Sequence, residues 1–103
     1  DVIIVDDEVD TGSSIAQAVQ VVRQQGARDI YLVFVHAILS KDGAERLASL
    51  PIKQIITTDT APISPEKIKK LAGRITVLSV ASLLGEVIKR AYEGRSVGEM
   101  FNE

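Results

Sequence analysis

The stretch Val2-Ile3-Ile4-Val5-Asp6-Asp7-Glu8-Val9-Asp10-Thr11-Gly12-Ser13-Ser14 decides how this chain is read. Four consecutive apolar residues mark a strand over residues 2–5, buried on both faces as strands of parallel sheets are. Acids end the run, and the polar turn at 10–14 opens a helix. Over residues 14–25, Ile15, Ala18, Val19 and Val22 fall on one stripe, and Gly26 follows as a left-handed terminator.

The same alternation repeats outward from this unit. Further strands are expected at residues 30–35, 55–58 and 75–78. Helices are expected at 42–50, with Pro51 just beyond, at 64–71 and at 80–91. The third helix opens on Ser64-Pro65-Glu66, an N-cap followed by proline at the first helical position. The last carries Val80, Leu83, Leu84, Val87, Ile88 and Ala91 on one face, for the core or a subunit interface, and is closed by Gly94. This βαβαβαβα order predicts an α/β fold of three layers, a mainly parallel sheet with helices on both faces and right-handed crossovers. Ligands of such sheets bind off the carboxyl ends of the strands, an edge that here carries residues 6–14, 36–40, 58–60 and Ser79.

Composition limits the chemistry. The 103 residues are one domain's worth of chain, 46% hydrophobic and 25% charged. A domain of this size buries roughly two-thirds of its unfolded surface and needs no covalent staple. With no cysteine there is no disulfide, thiolate zinc site or cysteine nucleophile, and a single histidine argues against a histidine-built metal centre. A net charge of −2 gives no footprint for nucleic acid. No apolar run reaches the length of a membrane span, and no signal peptide is visible. The chain opens on Asp1 with a strand from Val2, so it is expected to be a single domain, residues 1–103, cut from a longer cytoplasmic protein.

Asp10, Thr11, Gly12, Ser13 and Ser14 lie where backbone amides are unsatisfied and the helix dipole is positive. Gly12 permits close backbone approach, and three hydroxyls add donors. The combination suits a phosphate monoester, and a valine at position 12 is expected to block it sterically. Three or four charge-assisted bonds of about 1.5–3 kcal/mol each leave micromolar to millimolar affinity after the costs of binding. The preceding carboxylates, Asp6, Asp7, Glu8 and Asp10, repel phosphate but accept from a diol and suit Mg²⁺, which takes one or two carboxylates beside ligand oxygens. Together these halves describe a ribose 5-phosphate site. The plainer reading is that Asp10 or Thr11 merely caps the helix. His36, Asp59 and Thr60 are read as strand-end residues that hold turns.

Residues 2–14 resemble the ribose-phosphate loop of type I phosphoribosyltransferases: four apolar residues, two acids, two variable positions, then Asp-Thr-Gly-Gly-Thr. The whole chain resembles the C-terminal half of the ribose-phosphate pyrophosphokinase family. The family's strand-end turn and Leu-Ser appear as Val35-His36-Ala37-Ile38-Leu39-Ser40, its Thr-Asp-Thr-Ala-Pro as residues 58–62, and its Leu-Ser-Val-Ala as residues 78–81. The tail from Glu93 to Phe101 is similar to the family's Gly-Glu-Ser-Val-Ser-x-Leu-Phe ending. Ser13 and Ser14 replace the usual Gly-Thr, Ala37 a glycine, and Gly98 a second tail serine. The resemblance implies a type I phosphoribosyltransferase-like fold and transfer of diphosphate from ATP to ribose 5-phosphate, giving phosphoribosyl pyrophosphate (PRPP) and AMP. It implies Asp6 and Asp7 on the ribose hydroxyls, with Mg²⁺ beside them, and Asp10, Thr11, Gly12, Ser13 and Ser14 on the 5-phosphate. It further implies Ser96 and Phe101 in a regulatory ADP or phosphate site, and a homo-oligomer. The family's ATP-binding residues, metal-binding histidine and flexible-loop Lys and Arg lie upstream, so this chain alone is expected to be inactive, with no catalytic residue of its own.

Three alternatives share parts of the pattern. A non-catalytic regulatory paralogue would keep every residue above. A salvage phosphoribosyltransferase shares the loop but not the Ser-Val-x-x-x-Phe tail. A response-regulator receiver domain also begins with a strand and Asp-Asp-Glu, with Asp59 and Pro62 as a phosphoacceptor site. It would need a fifth strand and a Lys-Pro turn that this sequence lacks.

Overall fold

The computed structural model describes residues 1–101. The elements run β1 (Val2–Val9), α1 (Ser13–Gln24), β2 (Ile30–Ala37), α2 (Gly43–Ser49), β3 (Gln54–Thr58), α3 (Pro65–Lys70), β4 (Ile75–Leu78) and α4 (Ala81–Glu93), followed by a 3-10 turn over Gly98–Phe101. The eight expected elements are all present. β1 and β2 run further than expected, because β1 continues through the acids and pairs Glu8 with His36 and Val9 with Ala37. The Ser64 side chain caps α3 by accepting from the Lys67 amide at 3.4 Å, with Pro65 at the first helical position.

All pairings are parallel, in the order β1-β2-β3-β4. A receiver domain places its first strand between its second and third, so this order rejects that alternative. The order also determines where the helices lie. Successive right-handed crossovers that step the same way across a sheet put every crossover helix on one face. There Ile15 and Val19 of α1 and Leu47 of α2 join Ile30, Leu32, Phe34 and Ile55 of the sheet in one core, with Leu39, Ile52 and Leu71 from the connections.

The parallel α/β class is therefore as expected, but the distribution of helices differs. Residues 2–5 are not buried on both faces: Ile3 is 64% and Val5 73% exposed, on a side that no helix covers among the described residues. α4 does not supply the missing layer, since it has no buried residue and Leu83, Leu84 and Ile88 of its stripe are exposed. The radius of gyration of 16.2 Å accordingly exceeds the about 13 Å of a compact 100-residue domain.

One side chain ties the helical layer to the sheet. The Arg74 guanidinium, at the entry to β4, donates to the carbonyls of Ala48, Leu50 and Ile52 at 2.6, 3.2 and 3.0 Å. These carbonyls lie at and just beyond the end of α2, where the helix leaves acceptors without partners and the dipole favours a cation. No helix among the described residues is long and apolar enough to cross a membrane.

Candidate functional site

A cleft of about 260 Å³ lies at the carboxyl end of β1, lined by residues 6–15. All seven residues expected to bind ribose phosphate, Asp6, Asp7, Asp10, Thr11, Gly12, Ser13 and Ser14, line it. The strand brings the acids to the sheet edge, and the turn brings the amides of α1 round to meet them.

Gly12 is the N-cap of α1, in the left-handed region at φ 81°. Gly12 has no side chain to cap the helix, Asp10 makes no bond to the helix amides, and the capping role falls to Thr11 at one amide alone, that of Ser13. Thr11 Oγ1 lies 3.3 Å from Ser13 Oγ and takes the Ser13 amide only at 3.5 Å. Among the described residues the amides of Gly12, Ser14 and Ile15 have no acceptor. These donors sit at the positive end of a 12-residue helix, which suits an anion.

The side of the loop away from the cleft is fixed by the β2–α2 connection and α2. Ser40 donates through its hydroxyl to Asp10 Oδ1, with its amide 3.4 Å from the same oxygen. This contact makes the Asp10 carboxylate a brace between the two loops. Leu39 and Lys41, on either side of Ser40, hold φ of 50° and 51°, a left-handed conformation that costs a non-glycine residue about 1–2 kcal/mol. Gly43 opens α2 with its Cα so near the Asp10 carbonyl that no side chain fits there. Arg46 Nη1 donates to the Thr11 carbonyl at 3.0 Å. A Cβ added to Gly12 would meet Arg46 and Leu47 rather than the cleft. A valine at position 12 is therefore strained by its positive φ, with its Cβ in van der Waals contact with α2, so it disturbs the loop backbone whether or not it also obstructs phosphate.

The sequence places Ser40 on the binding edge, in the turn from Val35 to Ser40, but assigns it no role there, and it marks neither Gly43 nor Arg46. The available signal was Arg46, a cation placed among the apolar helix positions Ala44, Leu47 and Ala48.

Asp6 and Asp7 are consecutive residues of β1, so the pleat sends their side chains to opposite faces. Asp6 follows the half-buried series of Val2 and Ile4, and Asp7 the exposed series of Ile3 and Val5. Asp6 Oδ1 also accepts from the Asp7 amide at 2.8 Å. Among the described residues no three His, Asp or Glu side chains converge on a common point. That excludes an all-protein metal cage there. Asp6 and Asp7 each offer hard carboxylate oxygens at the cleft, the donor type of which Mg²⁺ takes one or two beside ligand oxygens.

The remaining strand-end residues form a structural network. His36 Nδ1 lies 2.8 Å from Thr60 Oγ1, while Thr58 and Thr60 donate to the Val35 carbonyl at 2.7 and 3.2 Å, joining β2 to the turn after β3. The Val80 amide at 2.8 Å, and after it the Ser79 hydroxyl, donate to Asp59 and hold its carboxyl below the ordinary range. Ser96 and Phe101 follow α4 in the chain, and neither lines the cleft. The Ser96 carbonyl accepts from Arg90 Nη1 at 2.9 Å, and Phe101 is exposed.

Known proteins resemble this chain over nearly its whole length. The family model described as "Phosphoribosyl synthetase-associated domain" matches residues 2–102. A ribose-phosphate pyrophosphokinase of Haemophilus influenzae is 37% identical over 99% of this chain and 32% of its own length. One from Nostoc sp. is 42% identical over 96% of this chain and 29% of its own. The crystal structure of phosphoribosylpyrophosphate synthetase from Mycobacterium smegmatis superposes with a TM-score of 0.82 at 38% identity, covering 89% of this chain and 30% of that one. The chain thus spans about a third of the length of the relatives it matches. By its sequence over nearly every residue, and by a fold shared with a solved member, the chain belongs to the phosphoribosyl synthetase-associated domain family.

Proposed function

We propose that this chain is the C-terminal, ribose 5-phosphate-binding portion of a ribose-phosphate pyrophosphokinase. The observation that carries the reading is the start of α1, with amides at Gly12, Ser14 and Ile15 that have no acceptor among the described residues, beside a cleft whose other wall is the acidic end of β1. Phosphate binds the amides and hydroxyls of residues 11–14, and the ribose hydroxyls donate to Asp6 and Asp7. Asp10, braced by Ser40, holds the loop in place. The sugar is thereby oriented with its C1 hydroxyl free. In the whole enzyme that oxygen attacks the β-phosphorus of ATP and loses its proton, the bond to the α-phosphate oxygen breaks, and AMP leaves. Positioning and charge stabilisation do most of the work in such transfers. Mg²⁺ bound at Asp6 or Asp7 would supply neutralising charge for the phosphate oxygens.

ATP is bound by parts of the enzyme outside these residues, so this chain alone is inactive. A cytoplasmic homo-oligomer, with Ser96 and Phe101 contributing to a regulatory anion site, completes the proposal.

Titration of nitrogen-labelled protein with ribose 5-phosphate, with and without Mg²⁺, tests it. Saturable amide shifts centred on Gly12, Ser13 and Ser14 are expected. A folded sample whose loop amides do not move with the sugar phosphate would refute the assignment.

A further inference from the structure

The loop amides could point in many directions, and α2 determines which. In a trans peptide the carbonyl and the N–H that follows it point opposite ways. Arg46 Nη1 holds the Thr11 carbonyl on the α2 side of the loop, so the Gly12 N–H leaves on the other side. Gly43, bare of a side chain, lets the Asp10 carbonyl press against the start of α2, so the Thr11 N–H is directed the same way. No residue of α2 lines the cleft, which is bounded by residues 6–15 alone. The helix therefore sits behind the loop, with the cleft in front.

We infer that Arg46 is a positioning residue that aims the phosphate-loop amides at the ligand by anchoring the Thr11 carbonyl, with Gly43 permitting the close approach. This inference rests on the reading of the cleft as a sugar-phosphate site. Arg46 is half-buried, its stem packs over Gly12, and its guanidinium is committed to backbone rather than offered to the cleft. Its contribution to affinity is therefore indirect. It removes the freedom of the Thr11–Gly12 peptide unit to rotate before phosphate arrives, which lowers the ordering cost of binding.

The test compares wild type with Arg46→Met, which keeps an unbranched stem over Gly12 without donors, and with Arg46→Lys, which restores one donor. In the ligand-free protein, Arg46→Met is expected to shift the Thr11 carbonyl carbon and the Gly12 amide nitrogen while the remaining spectrum stays dispersed. Its dissociation constant for ribose 5-phosphate should rise on the order of tenfold, and Arg46→Lys should recover part of both effects. Unmoved Thr11 and Gly12 signals in Arg46→Met would show that no anchor exists. Shifted signals with wild-type affinity would show that the anchor does not serve binding. If Arg46→Met fails to fold, Arg46→Lys decides alone: a displaced Thr11 carbonyl with weakened affinity supports the anchor, and wild-type affinity with a displaced carbonyl overturns it. Failure of wild type to bind sugar phosphate would be a distinct result, overturning the site itself and the positioning role with it.

Discussion

Arg74 Nη2 donates to the Ala48 carbonyl at 2.6 Å across 26 residues of chain, and the same guanidinium reaches the carbonyls of Leu50 and Ile52. One planar fork thus closes the end of α2 and fixes the approach to β3. Arg74→Ala leaves the Ala48 and Ile52 carbonyls without a partner, while Leu50 keeps the Ile52 amide at 2.8 Å, and is expected to cost about 1–3 kcal/mol. Arg74→Lys should recover less than half, since a single ammonium cannot span three carbonyls. Urea denaturation measures both, and equal midpoints for Ala and wild type would contradict the role.

At Gly12 the damage from substitution is conformational. A non-glycine residue at φ 81° is strained by about 1–2 kcal/mol, and its Cβ meets Arg46 and Leu47. Gly12→Val should therefore lower the urea midpoint as well as abolish sugar-phosphate binding. Ser14→Ala, at an exposed position on the cleft, should weaken binding by roughly 2- to 12-fold and change stability by no more than about 0.5 kcal/mol. A Gly12→Val protein of wild-type stability would restore the simpler idea of a blocked cradle.

The acids at the end of β1 offer a cleaner separation of binding from folding. Asp6→Asn keeps an oxygen for the Asp7 amide, so the fold should survive. Its affinity for ribose 5-phosphate should fall by about tenfold, and the gain on adding Mg²⁺ should shrink. Asp7→Asn, on the other face of the strand, tests whether both carboxylates reach the sugar. Calorimetric titration with and without Mg²⁺ gives the answer, and unchanged constants for both variants would remove the acids from the site.

How much of this could be read in advance depends on the range of each interaction. Local signals served well. Ser64-Pro65 placed the start of α3, and the bounds expected for β4, residues 75–78, are those observed. The stretch from Asp6 to Ser14 announced the cleft because its chemistry is contiguous in the chain. Two kinds of information were not local. Strand order decides which faces helices cover, and the apolar run at residues 2–5 looks the same whether one side or both are buried. The brace formed by Ser40, Gly43 and Arg46 is likewise invisible, because it joins residues 30 to 35 apart that no short pattern links. β1 also outran its expected end: pairing of Glu8 with His36 and Val9 with Ala37 by backbone bonds overrides the weak strand preference of acids.

The link from Asp59 to the start of α4 predicts a pH dependence. Its carboxyl is held below the ordinary range mainly by the Val80 amide and then by the Ser79 hydroxyl. A group with a depressed folded-state pKa stabilises the fold above its unfolded value, and that contribution is lost as pH falls through the folded one. Protection of the Val80 amide against hydrogen exchange, corrected for intrinsic rates, should accordingly drop on acidification below the ordinary carboxylate range. Asp59→Asn should show weakened protection that no longer varies there. Equal protection across that range in wild type would show that the carboxylate does not anchor the helix.

The uncovered sheet face gives the last prediction. Val5 lies in register with Val33, and Val33 with Ile56, so an apolar row crosses three strands on the side away from α1, α2 and α3. Ile3 extends the patch along β1, an edge strand among the described residues. Surfaces of this kind bind hydrophobic dyes and associate. The 103-residue chain is expected to enhance the fluorescence of such a dye under native conditions, and its sedimentation coefficient should rise with concentration. Ile3→Lys puts a charge on the patch and on the strand edge and should reduce both effects. Because Ile3 lies outside the cleft at residues 6–15, affinity for ribose 5-phosphate should be unchanged. A monomeric chain that binds no dye would mean that α4, whose Leu83, Leu84 and Ile88 are exposed here, folds over the sheet in solution. Spin labels on α4 and on β2 would then be close enough to detect one another.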